Sequence, residues 1–331
     1  MYSLIYISIS YYWLSQKYRL TVPKRGWDIH LGTNEQYLNA FERNFHNNDF
    51  SNVEVNIRTK ERRRNEINYV TIPREIIYDK SLDDKRAIVY SYLCCRRALD
   101  DTVAFSVNEL VKWTGLVPNC HDGKINHKYL DYLQSLSYRG YFERYPDFSN
   151  IKCQKGSSDY YYNAKLNIEK FDAPDGGFGI VYFDELQKIL NFKEKLKDIK
   201  DKNGEKANID TSRLSAAQIL LLLSYIRVNI KKSNKQPQCC YRQYKTISED
   251  IGLSERYISR IVEILDAMNI VKCKDGKRSR YIKKDGSYGY ITAPKIFADF
   301  RKFIRDEYNN IKEDPNYCYE VEIQNQIEML W

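Results

Sequence analysis

The amino-acid sequence predicts an α+β protein that is mostly helical and has small antiparallel sheets. Three observations support this prediction. Residues 254–268 place apolar side chains at helical spacing, a short helix ending at Gly252 precedes them, and a strongly basic stretch, 272–284, follows them. An apolar stripe at this spacing is typical of a helix that packs one face on a core. A similar order of elements is predicted between residues 69 and 170.

The turn before residue 254 has the residue types that join two helices. Gly252 readily adopts the left-handed conformation that ends a helix. Ser254 is suited to cap the next helix, because its hydroxyl accepts a backbone N–H of the first turn. Ile270 and Val271 then indicate a strand. Helix, turn, helix, strand and hairpin is the order of a winged helix-turn-helix, in which the second helix enters the DNA major groove and the wing contacts the backbone.

The stretch 272–284 contains seven Lys or Arg residues and one Asp. Like charges at this density repel one another, and a polyanion would relieve the repulsion. The alternative is that 254–268 is only a packed helix and 272–284 a solvated loop, but the clustered cations favour DNA. The formal net charge of +9 over 331 residues also favours an anionic partner, although charge alone is not specific.

The predicted DNA contacts divide into base readers and phosphate contacts. Arg256 and Arg260 lie four residues apart on the polar face and are predicted to read bases, since Arg pairs bidentately with guanine. Ser254, Tyr257 and Ser259 are expected at the DNA backbone or at thymine methyl groups. The wing cations are expected to neutralise phosphates; they are Lys272, Lys274, Lys277, Arg278, Arg280, Lys283 and Lys284.

An internal repeat predicts two tandem winged-helix domains with small antiparallel wings. Gly115-Leu116 matches Gly252-Leu253, and Val70 to Pro73 resembles the stretch that begins at Val181. The predicted division is an N-terminal extension (1–68), a first winged-helix domain (69–170), a linker (171–177), a second winged-helix domain (178–297) with a charged loop (193–210), and a C-terminal helix and tail (298–331).

The first domain differs from the second in its turn and in its charge. An insertion, Val117–Gly123, replaces the tight turn, so this domain is expected to present its second helix differently. Its candidate DNA contacts are Lys124, Asn126, His127 and Lys128. This face is less basic, so we expect it to contribute less to base reading or to mediate self-association. For His127 alone, the sequence favours an exposed or packed histidine with no special role.

The same patterns predict the remaining elements. The predicted helices are Asn34–Phe45, Leu82–Leu99 with Ser81 as its cap, Lys124–Tyr138, Leu214–Ile230 and Ile296–Ile311. Residues 4–10 alternate like an edge strand, and 144–168 like a long hairpin. The basic run 58–64 indicates a solvated linker or a further phosphate contact. The tail after Tyr317 is expected to dock on its own domain rather than to hold a partner.

The sequence lacks the motifs of common enzymes. It has no GxxxxGK[ST], HExxH, GxSxG or DxD constellation, and no HxH pair near a candidate Tyr that would indicate a metal-dependent strand nickase. Eight Cys and four His occur without a CxxC pair, and the Cys120-His121 group does not have zinc-ligand spacing. We therefore expect a protein that is not an enzyme and needs no metal or cofactor.

The sequence also favours a cytoplasmic location. Residues 1–14 are apolar, but they lack the basic start and small-residue cleavage site of a signal peptide and are too few to cross a bilayer as a helix. Cysteines without a disulfide framework fit a reducing compartment. No membrane association is expected.

The stretch Tyr69–Leu93 (YVTIPREIIYDKSLDDKRAIVYSYL), together with the repeated helix-turn-helix and wing, resembles the tandem winged-helix replication initiators of bacterial plasmids, phages and mobile elements. The resemblance covers about residues 69–297. It implies binding to repeated origin sites in double-stranded DNA, DNA opening and recruitment of host replication proteins. In some members it also implies dimers that repress their own promoter.

The chain departs from that family at the insertion 117–123, in the segment 1–68 and in having no obvious dimer motif. Two other functions therefore stay open. One is a winged-helix transcriptional regulator, and the other is a non-enzymatic replisome or phage adaptor that binds protein. A steep dependence of DNA affinity on salt would separate a DNA-binding protein from the adaptor.

Overall fold

The computed structural model of the chain describes residues 69–97, 101–114, 116, 118, 124–144, 146–148, 151, 161–167, 169–170, 177–199, 209–230, 236–305 and 311–329. The predictions for 1–68, including the helix Asn34–Phe45, the strand at 4–10 and the basic run 58–64, lie outside these residues. So does nearly all of the insertion 117–123 and the linker 171–176.

In the first half of the chain, seven helices and strands lie among the residues that the structure describes. They are β1 (Tyr69–Pro73), α1 (Arg74–Tyr78), α2 (Arg86–Arg96), β2 (Thr102–Phe105), α3 (Val107–Trp113), α4 (Lys124–Tyr138) and β3 (Tyr162–Lys165). Ser106 caps α3, because its hydroxyl accepts the N–H of Glu109 at 3.0 Å. Strand β2 pairs antiparallel with β3, and a bridge from Phe142 to Leu166 joins the chain after α4 to the end of β3.

The second half repeats this order and extends it. Its elements are β4 (Phe178–Tyr182), α5 (Phe183–Leu190), α6 (Phe192–Lys195), α7 (Ala216–Val228), β5 (Cys240–Arg242), α8 (Tyr244–Ile251), α9 (Glu255–Ala267), β6 (Val271–Lys274), β7 (Arg278–Ile282), β8 (Tyr288–Thr292), β9 (Lys295–Asp299), β10 (Phe303–Arg305), β11 (Ile311–Glu313) and α10 (Tyr319–Met329). Strand β9 lies between β5 and β6, whereas β7 and β8 form a separate hairpin.

The α+β class predicted from the sequence is confirmed: the described residues form helices and small antiparallel sheets. The order strand, helix, helix, strand, helix, helix, strand runs from β1 to β3. From β4 to β9 it recurs with one additional helix before β5 and with four strands, β6 to β9, at its end. The two halves are joined by their equivalent elements. Strand β1 pairs with β4, with Val70 opposite Val181, and α2 packs against α7.

Helix α7 is the centre of the core. Ser215 and Gln218 form a reciprocal capping box at its start. The apolar run Ile219–Leu223 is fully buried, because α7 contacts β4, α2 and α9 on different sides. Gly179 of β4 lies so close to α7 that a Cβ there would be 2.6 Å from the carbonyl oxygen of Ser224. A glycine at position 179 therefore permits this close approach.

A buried ion-pair network joins β4, α5, α7 and β9. Arg227 donates to both carboxylate oxygens of Glu185, at 2.5 and 2.8 Å, and to Asp299 at 2.9 Å. Arg301 contacts Glu185 at 3.2 Å. Burial opposes ionisation of Glu185, but the charges of Arg227 and Arg301 hold its pKa below the usual range. Because a buried charge needs a partner, this network fixes the arrangement of the four elements.

A buried arginine also links the first half to the helix-turn-helix of the second. Arg86 donates to the carbonyl oxygens of Ile77, at 2.7 and 3.1 Å, and of Leu82 at 3.0 Å. It also donates to the carbonyl oxygen of Ile251, the last residue of α8, at 3.0 Å. The end of α8 is thereby held by a side chain that lies 165 residues earlier in the chain.

The predicted start of helix Leu82–Leu99 is wrong. The helix begins at Arg86, and its N-cap residue is Lys85, without a side-chain cap. Ser81 instead donates its backbone N–H and its hydroxyl to Asp79, at 2.9 and 2.6 Å. Asp83 accepts the N–H of Lys85 in the same way, at 2.8 Å. Such aspartate turns compete locally with helix formation, which delays the helix by four positions.

The predicted helix Ile296–Ile311 is also wrong, because this stretch contains strands β9 and β10. Ile296, Phe297 and Ala298 are all fully buried in the central strand of the three-stranded sheet. Pairing on both sides of β9 therefore overrides the helical spacing of the apolar residues. Strand β9 also continues two residues past the predicted domain boundary at 297.

Helix α10 docks on the second half, as expected for the tail. Ile323 and Ile327 pack with Cys239, Ile296 and Ala298. The C-terminal helix therefore lies at 319–329 and covers the sheet that contains β9.

Two other predictions receive partial answers. The predicted hairpin 144–168 is wrong in its pairing, because its strand β3 pairs with β2; next to β3, the N–H of Glu143 donates to the carbonyl oxygen of Lys165 at 2.8 Å. Its tip, 152–160, lies outside the described residues. The charged loop 193–210 begins as helix α6 and a 3-10 turn, Leu196–Asp198, and residues 200–208 are not described.

Candidate nucleic-acid interface

Helices α8 and α9 are joined by a tight turn of the kind predicted from the sequence. Gly252 has a φ of 79°, and its N–H donates to the carbonyl oxygen of Ser248 at 2.9 Å. Leu253 is buried below the turn. Ser254 caps α9 by accepting the N–H of Tyr257 at 3.4 Å. These contacts fix where α9 starts and which of its faces points outward.

Helix α9 has one buried face and one accessible face. The buried residues are Ile258, Ile261, Val262, Ile264 and Leu265. Ser254 and Arg256 are exposed, and Tyr257, Ser259 and Arg260 are partly exposed. The first turns of α9 therefore present hydroxyl groups and arginines at the surface. Such side chains suit contacts with base edges and phosphates.

Arg260 is engaged by a segment that precedes α7. Its Nε and Nη2 donate to the carbonyl oxygen of Asp210 at 3.0 and 2.6 Å, and Nη2 donates to the carbonyl oxygen of Ser212 at 2.7 Å. Nη2 also lies 2.7 Å from Asp210 Oδ1. The side chain of Arg260 is 12% exposed. To pair with a base through Nε and Nη2, Arg260 would have to break its hydrogen bonds to Asp210 and Ser212. Arg256 is therefore the better placed of the two arginines.

Ser259 and Lys272 also make contacts within the domain. Ser259 is partly exposed and lies beside Tyr244. Lys272 forms an ion pair with Asp266, at 2.9 and 3.0 Å, and hydrogen bonding to this carboxylate raises the pKa of Lys272. Lys272 lies in β6, beside α9, rather than in the β7–β8 hairpin. Neither side chain is as accessible to DNA as the exposed cations further along the chain.

The β7–β8 hairpin carries most of the predicted wing cations. Its cations Lys277, Arg278, Arg280, Lys283 and Lys284 are exposed, as is Lys274 at the end of β6. Between residues 277 and 292 there are five Lys or Arg and one acidic residue, Asp285. The hairpin therefore presents a dense positive charge to solvent, as a contact to phosphates requires.

Exposed tyrosines alternate with these arginines on one face of the hairpin. The register places Arg280 opposite Tyr290, and Ile282 opposite Tyr288. Arg278 stacks over the ring of Tyr290 at 4.3 Å, and Arg280 over the ring of Tyr288 at 3.9 Å. Both tyrosines are more than half exposed. Stacking therefore holds both guanidinium groups over exposed rings on this face of the hairpin.

The four candidate contacts of the first half lie on α4. His127 and Lys128 are exposed there. The backbone of Lys124 and Asn126 is helical, but their side chains lie outside the described part of the structure. The insertion that precedes α4 is likewise mostly undescribed. The role predicted for this face stays a prediction.

Sequence reasoning missed two parts of this surface. The first is the segment 210–213, which the sequence shows only as the end of a charged loop. The second is strand β8, whose Tyr288 and Tyr290 flank Gly289. The alternation Tyr-Gly-Tyr with basic residues upstream was a signal for an aromatic hairpin face.

The described residues contain no group of three or more His, Cys, Asp or Glu side chains that could hold a metal ion. Burial raises the pKa of the thiols of Cys95, Cys239, Cys240 and Cys273 to about 12, so these thiols stay protonated at neutral pH. Among the helices that the structure describes, none has the length and apolar content needed to cross a bilayer.

Comparisons with protein-family models, with curated proteins and with solved structures find no match for this chain.

Proposed function

We propose that the two halves are tandem winged-helix domains and that the second binds double-stranded DNA in a sequence-specific manner. Helix α9 would enter the major groove, and the β7–β8 hairpin would be the wing on the sugar–phosphate backbone. The observation that supports this proposal most strongly is the combination of an exposed, serine-capped start of α9 with an exposed hairpin that carries five cations. Both belong to one helix-turn-helix unit.

The repeated order of elements supports the tandem arrangement. In each half a long helix precedes a strand, two further helices and the strand that pairs with the first. Because β1 pairs with β4 and α2 packs on α7, the two halves are held together by equivalent elements. Two DNA-binding domains joined in this way would suit a DNA site longer than one helix-turn-helix can cover.

We further propose that the biological role is replication initiation of a plasmid, phage or mobile element, without enzymatic activity of its own. The resemblance of Tyr69–Leu93 and of the repeated unit to such initiators supports this role. The partners would be double-stranded DNA, host replication proteins and, for repression, a second copy of the chain. The action would take place in the cytoplasm, without a membrane or cofactor.

The test is a binding measurement with a duplex from the region upstream of the protein's own gene and with a random duplex, each at two salt concentrations. We expect a preference of about 10³-fold or more for the specific duplex. We also expect the logarithm of the binding constant to fall by about 0.9 per phosphate contact for each tenfold rise in salt concentration. Tandem repeats in the bound region would indicate origin binding, and a single palindrome would indicate transcriptional repression. Weak binding of both duplexes with little salt dependence would instead support the protein-binding adaptor.

A further inference from the structure

A basic depression lies beside the first turn of α9. Its lining residues are Ser212, Arg213, Ser254, Arg256, Tyr257 and Arg260, and its volume is about 550 Å³. It is formed jointly by α9 and by the segment 210–213, which is 50 residues away in sequence. This segment belongs to none of the DNA contacts predicted from the sequence.

The charges around the depression are unequal in accessibility. Arg213 and Arg256 are exposed at its edge. The nearest acidic residues in sequence are Glu255, which is exposed and does not line the depression, and Asp210, whose carboxylate is occupied. Its Oδ1 accepts the N–H of Ser212 at 2.8 Å and lies 2.7 Å from Arg260 Nη2. The depression therefore presents two arginines and the hydroxyl-bearing residues Ser212 and Ser254, which together suit an oxyanion.

We propose that this depression binds a phosphate group of the DNA backbone, with Arg213 as a phosphate contact beside the base-reading Arg256. The inference rests on the proposed function, because it assumes that α9 meets DNA. A helix seated in the major groove has backbone phosphates at its edges, and arginines on the adjoining segment reach them there.

In this account Arg260 is a positioning residue. It binds the carbonyl oxygens of Asp210 and Ser212, so it holds the segment against α9 and places Arg213 at the depression. Arg260 would therefore act on DNA through Arg213. Its substitution should remove the contribution of Arg213 even though Arg213 itself is unchanged.

A soluble phosphate compound has the same chemistry as a backbone phosphate, and the experiment must separate the two. The probes are a specific duplex, a random duplex and inorganic phosphate. The protein is the full chain, as wild type and as the variants Arg213→Ala and Arg213→Gly. Because Arg213 has a φ of 61°, glycine adopts its backbone conformation more readily, so Arg213→Gly should keep or raise Tm.

We expect both variants to weaken binding of the specific and the random duplex by the same factor, roughly fivefold. We also expect the slope of the logarithm of the binding constant against the logarithm of salt concentration to become less steep by about one. The matched control is Lys195→Ala, which removes the same charge from the exposed surface of α6, outside the depression. This control should leave affinity nearly unchanged. Loss of affinity in a variant with an undiminished Tm excludes unfolding as the cause.

Three results would overturn the inference. The first is that the wild type binds DNA but the Arg213 variants bind duplex as tightly as Lys195→Ala does. Another is binding of inorganic phosphate that depends on Arg213 while duplex binding does not. The third is that the losses of DNA affinity in Arg213→Ala and Arg260→Ala add up in the double variant. If Arg260 acts through Arg213, the double variant should bind DNA little more weakly than either single variant. If the wild type itself fails to bind any duplex, the proposed function fails instead.

Discussion

The arginines of α9 and the lysines of the hairpin differ in what they can recognise. An arginine at the start of a groove-bound helix pairs with both acceptors of a guanine, whereas a lysine on a wing meets only phosphate charge. Arg256 is exposed beside the cap of α9, and Lys277 is exposed at the base of the hairpin. If α9 and the hairpin bind DNA as proposed, substitutions at these two positions separate sequence specificity from general affinity.

For Arg256→Ala we expect a cost of about 1–3 kcal/mol on the specific duplex and relaxed preference at one base pair. For Lys277→Ala we expect an equal loss on specific and random duplexes, because a phosphate contact does not depend on base sequence. Both are measured by equilibrium binding to single-base variants of the site. The assignment of Arg256 is contradicted if its loss weakens every duplex alike.

The buried carboxylate of Glu185 has a different role, since it stabilises the fold. Glu185→Ala removes the carboxylate that binds two nitrogens of the buried Arg227 and leaves Asp299 as its remaining carboxylate partner, so we expect the free energy of unfolding to fall by about 3 kcal/mol. Asp184→Ala is the matched control: Asp184 is 54% exposed and pairs with Arg301 at 2.7 Å. Its loss should cost less than about 1 kcal/mol. Equal effects in denaturant titrations would show that the network is not what joins these elements.

At the scale of the elements, the helix-turn-helix could be predicted because its signals are local. Gly252, Ser254 and the apolar spacing of 258–265 each act within a few residues of the chain. The hairpin was indicated by its cations. The helix α4 was predicted with its bounds for the same reason.

Elements whose conformation depends on distant partners could not be predicted in this way. The stretch 296–311 has apolar spacing compatible with a helix, but its first residues pair with β5 and β6 and form the central strand β9. Arg260 looks like an ordinary exposed arginine in sequence, because its partners lie 48 and 50 residues earlier. The start of α2 was missed for a local reason, the turns made by Asp79 and Asp83.

The docking of α10 gives a prediction about an element. Ile323 is buried against the sheet, so Ile323→Ala should lower the free energy of unfolding by about 2–5 kcal/mol through lost burial and a cavity. Val321 lies on the same helix but is 55% exposed, and Val321→Ala should change stability by less than about 0.5 kcal/mol. Thermal or denaturant unfolding measures both. Similar small effects would mean that α10 does not contribute to the fold of the second half.

At the scale of the whole molecule, the halves are united by β1–β4 pairing and by the contact of α2 with α7. Gly179 lies in β4, the strand that pairs with β1, at the point where β4 closely approaches the backbone of α7. Gly179→Ala would force β4 away from the backbone of α7 at Ser224, so we expect a loss of stability of about 1–3 kcal/mol.

The matched control for Gly179→Ala is Gly286→Ala in the exposed hairpin turn. A Cβ at Gly286 meets nothing within 4 Å, so only its φ of 80° opposes the substitution. Gly286→Ala should therefore perturb the hairpin alone. If Gly179→Ala shows no loss of stability in denaturant unfolding, β4 and α7 are packed less tightly than the approach of Gly179 to Ser224 indicates.

The central claim is sequence-specific recognition of duplex DNA by α9 and the hairpin. The most direct test is selection of bound duplexes from a pool of random sequence, by the wild type and by Arg256→Ala. We expect the wild type to enrich one motif and Arg256→Ala to lose preference at one position of that motif. A wild-type protein that retains duplexes without enriching any sequence, or that retains none, would contradict the claim.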